Sequence, residues 1–541
     1  MALERRHHIP ADPCRSAAVP MIDGSMQFHA LTLDQFLRHA ARWHPRAEVV
    51  TAQPGGETVR IGYAGLMARA LRTSHALAGL GIGRGDRVAT LAWNSQAHVE
   101  AWYAIMGMGA VCHTLNPRLT ADQLADMVRQ SGARVLIASA DLAPLAQAIA
   151  AAAPGLGRLL VIDGAVPGCD PLDALSREGS GDAIWGGFDE TLPCGLCFTS
   201  GTTGAPKGVT YTHRASYLHT LRALQADVMA FRSSDAVLAV VPMFHANAWG
   251  LPFAVPAVGG KLVLPGRQSD GASLARLIAD EGVTVGVGVP TVWLGLVEHL
   301  DAVGGDLPSL RRIVVGGMPM APALMARIEE RLGVTVQTSW GMTELSPSGT
   351  VAPPDDPGRS AAASGRPAIG IDLLLTDAAG APLTEQRDVE GHLRVRGAAV
   401  VERYFGHEER ATDADGWFAT GDLARIDPRG NLYITGRAKD LIKSGGEWIN
   451  PAEIEAVVGA NPDVALVAVI GRTDPKWGER PILLVEMQEG AATSDDALLA
   501  PLRGRVAPWW IPDAVVRLPS LPLAPTGKID KIRLRSEYGS G

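Results

Sequence analysis

The chain has 541 residues, 47% hydrophobic and 20% charged, which fits a soluble globular protein of about two to four domains with an ample core. A formal net charge of -8 argues against a nucleic-acid partner. Five irregularly spaced cysteines form no disulfide framework and fit a reduced, cytoplasmic setting.

Residues 1–20, rich in Pro, Arg and Ala, read as a disordered lead-in, and the charges at Glu4, Arg5 and Arg6 precede no apolar segment, so no secretory signal is expected. RVATLAW and ARVLIAS then read as buried strands, each followed by an Ala-rich helical stretch. Cys194 and Cys197 form a lone C-x-x-C. On an extended strand, positions three apart face opposite sides, so two buried thiols are expected rather than a metal pair. The run FTSGTTGAPKGVTYTHRA, 198–215, follows directly. Gly201, Gly204 and Gly208 let backbone N–H groups approach an anion, while Thr199, Ser200, Thr202, Thr203 and Lys207 add donors and one positive charge. That chemistry suits a polyphosphate, although the spacing G-x-x-x-x-G-K-[ST] is absent. His213 and His219, on the helix that follows, are expected to be structural or surface residues.

Residues 236–260 carry no charge and are long enough for a membrane helix. Pro242, Pro252 and Pro256, with His245 and Asn247 between them, would break such a helix, so a strand, loop and helix start is expected. VTVGVGV, LRRIVVGG and VTVQTSW alternate with helical patterns, which implies parallel sheets covered on both faces. From about Ile371, short strands with turn signals predict a small antiparallel barrel or sheet. After Arg437 the texture changes again, and Asn450-Pro451 reads as a helix start. The fold class is therefore α/β: a large N-terminal domain of parallel sheets plus a small β-barrel over 21–437, and a small mobile α+β domain over 438–541. A hinge is expected near 436–439.

Four more motifs fall at the ends of predicted strands, where open α/β sheets hold their ligands: VVGGMPM (314–320), SWGMTEL (339–345), TGDLARIDPRGNLYITGRAKDLIKSGGEWINPAEIE (420–455) and PTGKIDK (525–531). Together with TSGTTGAPKG, in this order, they closely resemble the adenylate-forming enzymes, a superfamily of acyl-CoA synthetases, luciferases and peptide-synthetase adenylation domains. The resemblance runs from about Met21 to the end of the chain. VPMFHANAWGLPFAVPAVGGKLVLPG and LIKSGGEWI resemble the fatty-acyl-CoA synthetases, including those acting on medium-chain or methylthio-propionate-type acids.

The resemblance implies an ATP- and CoA-dependent acid–thiol ligase that works through acyl-AMP with Mg²⁺. In this reading Glu344 and Thr199 hold the metal, Thr343 touches the α-phosphate, and Lys207 and the 200–204 loop cradle the departing phosphates. Adenine lies between Gly316-Gly317 and Trp340, within SWG (Ser339, Trp340, Gly341); most relatives have Tyr where this chain has Trp340. Asp422 and Arg437 meet the ribose, and Lys528 bridges the two reacting anions. Lys439 is the hinge, about which Lys443, Gly445, Gly446 and Trp448 replace Lys528 for the CoA step. His245 and Trp249 gate the acyl tunnel. A homodimer is expected, with no nucleic-acid partner and no membrane span. The alternatives are a luciferase-like oxidase and a stand-alone adenylation enzyme feeding a carrier protein.

Overall fold

The computed structural model describes residues 25–199, 206–445, 447–524 and 528–540. The expected lead-in, five of the loop residues (Ser200, Gly201, Thr202, Thr203, Gly204) and Gly446 lie outside them.

Two large sheets dominate the N-terminal part. The first has seven strands, in the order Asp170–Pro171, Arg158–Ile162, Val135–Ser139, Arg87–Leu91, Val111–Thr114, Pro193–Phe198 and Gly208–Thr212. All its pairs are parallel except the last, a hairpin that aligns Phe198 with Gly208. The hydroxyl-rich loop is thus the connection of that hairpin. Cys194 and Cys197 are both buried on its first strand, as expected, and the Cys194 thiol donates to the Tyr211 carbonyl at 3.4 Å.

The second sheet has nine strands and includes Ala236–Ala239, Lys261–Leu264, Val285–Gly288, Arg312–Val315 and Thr335–Gly341, all paired in parallel. The first four of these runs are largely apolar because helices such as Gly271–Glu281 and Pro290–Val303 cover the sheet, whereas Thr335–Gly341 buries the polar Gln337 and Thr338. The uncharged stretch resolves into the Ala236–Ala239 strand, a turn at Ala246–Gly250 and the helix Leu251–Val258. Among the described residues no helix is long and apolar enough to cross a membrane.

The segment from Ile371 forms a four-stranded antiparallel sheet, Asp372–Thr376, Glu390–Arg396, Phe418–Ile426 and Leu432–Arg437, with an extra bridge from Ala363 to Tyr433. A five-stranded sheet then draws every strand from beyond residue 441, with two apolar clusters of its own. Asn450 starts the helix Pro451–Val458 as read: its side-chain carbonyl accepts from the Ala452 N–H at 3.1 Å.

Candidate active site

A cleft of about 420 Å³ opens where the ends of the Thr335–Gly341 and Phe418–Ile426 strands, the Thr199 and Lys207 flanks of the hairpin and the C-terminal part converge. Its walls include Thr199, Lys207, His245, Trp249, Gly317 and Ser339. Trp340, Gly341, Thr343, Glu344, Arg437, Lys439 and Lys528 complete the predicted set that the fold gathers there.

One corner is built on a buried carboxylate. Asp422 is 1% exposed; its Oδ2 accepts from the Trp340 indole N–H at 3.1 Å and its Oδ1 from Arg437 Nε at 2.6 Å. Burial pushes the Asp422 carboxyl above the usual range, and Arg437 is the chief force pulling it back. The ring donor of Trp340 is thus committed to Asp422. Gly316 lies behind this corner, where an added Cβ would run into Ser339 Oγ and meet Trp249 at 3.0 Å. Ser339 Oγ itself donates to the Val315 carbonyl at 2.8 Å.

The opposite corner gathers a hydroxyl, an ammonium and a second carboxylate. Thr199 and Lys207 close the neck of the loop, with the Thr199 N–H on the Lys207 carbonyl at 2.9 Å and the Lys207 N–H on Thr199 Oγ1 at 3.2 Å. Glu344, 8% exposed, follows the end of the Thr335–Gly341 strand on a short 3₁₀ turn, Thr343–Leu345. Burial raises its carboxyl, while the Tyr404 hydroxyl, Arg437 and Lys207 act to lower it. The Tyr211 hydroxyl fixes the turn by donating to the Thr343 carbonyl at 2.8 Å. Among the described residues no cluster of three His, Cys, Asp or Glu side chains could cage a metal. One buried carboxylate and one nearby hydroxyl suit a magnesium ion that draws its remaining ligands from phosphates and water.

The apolar wall has an unusual backbone. Ala246, Asn247, Ala248 and Trp249 all take positive φ, between 44° and 53°, and Gly250 follows at 76°. A left-handed turn costs roughly 1–2 kcal/mol per non-glycine residue, and such strain gathers at sites where the surroundings over-determine it. Those surroundings are the large apolar core, to which Ala246, Ala248 and Trp249 all belong, while Trp249 also faces the cleft. His245 precedes the turn; burial, then Lys528 and Arg118, pull its imidazole down to about 4. His213 and His219 are buried rather than on the surface, accepting from the Leu33 and Ser348 N–H groups.

Lys528 reaches the cleft from the C-terminal part and keeps contact with solvent because the cleft is open. Burial between the cleft walls, then Arg437, pulls its ammonium below the ordinary lysine range, with Asp422 and Glu344 opposing. Lys443, Gly445 and Trp448 are not brought to the cleft. Lys443 Nζ lies 5.5 Å from the centre of the exposed Trp448 ring, and Gly445 packs on Trp477. Asp440 pairs with Arg535 at 3.0 Å, and its charge also acts on Lys439. The sequence reading missed Tyr404, which lines the cleft and touches both Glu344 and Lys207. No local motif marks it.

Residues 36–405 match the AMP-binding enzyme family, and residues 453–528 match the AMP-binding enzyme C-terminal domain. The chain belongs to this family. It is 40% identical to a 3-methylmercaptopropionyl-CoA ligase of Ruegeria lacuscaerulensis, covering 95% of this chain and 98% of that one. It is 38% identical to a medium-chain-fatty-acid–CoA ligase of Ectopseudomonas oleovorans, covering 95% and 97%. The structure resembles that of an anthranilate CoA ligase in complex with anthranoyl-AMP, with a TM-score of 0.85 at 25% identity over 94% of this chain and 97% of that one. Its activity class is that of an AMP-forming acid–thiol ligase, an acyl-CoA synthetase.

Proposed function

We propose that the acid is apolar, a medium-chain fatty acid or a related methylthio acid, activated as acyl-AMP and then passed to CoA. The observation that carries this reading is Lys528, held in one cleft with Thr199, Lys207 and Glu344 on one side and the apolar Trp249 turn on another. In the first step a carboxylate oxygen bonds to the α-phosphorus of ATP. The bond from that phosphorus to the bridging oxygen breaks, and pyrophosphate leaves with the electron pair. Both partners are anions, so the protein's task is alignment and positive charge rather than proton removal. Lys528 lies between the carboxylate and the α-phosphate, Thr343 meets the α-phosphate, and Lys207 with the 200–204 loop accompanies pyrophosphate. Asp422 and Arg437 orient the ribose, and Trp340 with Gly316-Gly317 flanks the adenine. Magnesium held by Glu344 and the Thr199 hydroxyl would neutralise phosphate charge.

In the second step the CoA sulfur bonds to the acyl carbon and AMP leaves with the electrons of the broken C–O bond. For this step the segment 438–541 turns about Lys439 relative to 21–437, withdrawing Lys528 and bringing Lys443, Gly445, Gly446 and Trp448 to the acyl-AMP. His245 and Trp249 gate the acyl tunnel, and the segment 242–253 around them carries no acidic residue to meet an amino-acid substrate. The test is acid-dependent pyrophosphate release, with and without CoA, across a panel of carboxylic acids. Turnover is expected on aliphatic acids and to accelerate with CoA. Activity on amino acids alone, or indifference to CoA, overturns the reading.

A further inference from the structure

The segment 399–405 joins two parts of the cleft that are otherwise far apart in sequence. The Val401 N–H donates to the Glu344 carbonyl at 2.8 Å, and the Phe405 N–H donates to the Gly208 carbonyl at 2.8 Å. Between them, the Tyr404 hydroxyl donates to Glu344 Oε1 at 2.9 Å, and Lys207 Nζ lies 4.8 Å from the centre of the same ring. Gly208 is required at this seam, since an added Cβ would stand 2.9 Å from Phe405 Cβ. One side chain therefore grips the cleft's buried carboxylate with its hydroxyl and the loop's ammonium with its face.

We infer that Tyr404 is a positioning residue that sets the Glu344 carboxylate and the Lys207 ammonium at a fixed separation, so that metal and departing phosphates are received together. This rests on the roles proposed above for Glu344 and Lys207. The two grips use different atoms. The hydroxyl fixes one carboxylate oxygen and leaves Oε2 without that constraint, while the ring draws the ammonium through its negative face. Burial and Glu344 push the phenol well above its ordinary value, so it remains a donor. A hydroxyl on a carboxylate is the stronger contact, and a partly exposed cation over a ring the weaker.

The chemical split makes a test. Tyr404→Phe removes only the hydroxyl; Tyr404→Leu removes hydroxyl and ring. Binding of ATP, with and without Mg²⁺ and with no acid present, is measured by calorimetry on the full chain, beside acid-dependent ATP–pyrophosphate exchange. For Tyr404→Phe, the enhancement of ATP binding by Mg²⁺ is expected to shrink about tenfold, as for loss of a hydrogen bond to a charged group, with Mg²⁺-free binding unchanged. For Tyr404→Leu, Mg²⁺-free ATP binding should weaken as well, by about threefold, and this extra loss should vanish in a Lys207→Met background. The inference fails if Tyr404→Phe binds Mg-ATP as the parent does. It also fails if Mg²⁺-free binding falls equally in both variants. Should the leucine variant not fold, the phenylalanine result alone decides. Absence of exchange in the parent protein, by contrast, counts against the proposed function and not against Tyr404.

Discussion

At the scale of single residues, the cleft is a contest between desolvation and charge pairing. Asp422 and Glu344 are pushed up by burial and Lys528 is pushed down; Lys528 is partly restored by both carboxylates, Asp422 by Arg437 and Lys528, and Glu344 by Tyr404, Arg437 and Lys207. Such a mutual arrangement has its donors in position before charge develops, where one preorganised charged donor is worth roughly 3–4 kcal/mol of transition-state stabilisation. Lys528→Ala is therefore expected to slow acyl-AMP formation by about 10²–10³-fold. Conversion of supplied acyl-AMP to thioester should be little changed. The two half-reactions are assayed separately, by pyrophosphate exchange and by thioester formation; an equal loss in both removes the assignment. Lys528 was legible from PTGKIDK, and Glu344 from SWGMTEL. Tyr404 was not, because its meaning lies in contacts to residues 60 and 197 positions away, which no local pattern encodes.

At the scale of elements, strands and helices were readable wherever both faces are buried or a cap is present, as in Val285–Gly288 and at Asn450. The left-handed turn at 246–249 was not: Ala246, Ala248 and Trp249 carry no preference for positive φ, and tertiary packing imposes it. A second property of elements is the set of imidazoles sealed among them. His98 lies on the helix Gln96–Gly107, His113 on the strand Val111–Thr114, and His213 and His219 on the helix His213–Ala223. All four are buried. Burial lowers them from 6.5 to about 4, 3, 4 and 3 respectively. Folded values below the unfolded one mean that the unfolded chain binds more protons in the intervening window. Stability is therefore complete above about pH 6.5 and declines as the pH falls toward 4, by up to about 1.4 kcal/mol per pH unit for each ring. Carboxyls raised by burial, such as Asp163 and Glu455, act in the opposite sense nearer their own range. Urea midpoints at pH 7.5 and 5.5 should show a marked loss at the lower value. Equal midpoints would mean that these rings do not stay neutral in the fold.

At the scale of the whole molecule, the fold holds Lys528 in the cleft while Lys443 and Trp448 stand outside it, the arrangement that the proposed first step calls for. One asparagine contributes to holding that pose. Asn450 Nδ2 donates to the Thr435 carbonyl at 2.8 Å, on the strand that ends in Arg437, while its Oδ1 caps the helix Pro451–Val458. Only glycine fits opposite it, since a Cβ on Gly436 would come within 2.6 Å of that oxygen. Nδ2 also donates to Glu453 Oε1 at 3.4 Å, and the acceptor and donor roles of Asn450 can be separated chemically. Asn450→Ser keeps a cap acceptor, because Ser caps helices as well as Asn does, loses the amide donor to Thr435 and sets no second carboxylate against Glu453. Asn450→Ala loses both, at a cost of about 1 kcal/mol in stability for the cap. If the Thr435 bond biases the molecule toward the first-step pose, losing about 1 kcal/mol there shifts the balance of poses about fivefold. The serine variant should then come close to the parent's melting temperature, form acyl-AMP several-fold more slowly and convert supplied acyl-AMP at least as fast as the parent. A parallel decline of both half-reactions in that variant would show that Asn450 supports the fold without steering it. An unchanged ratio would show that the pose is held by the cleft's own charges, with Lys528 drawn in by Asp422 and Glu344.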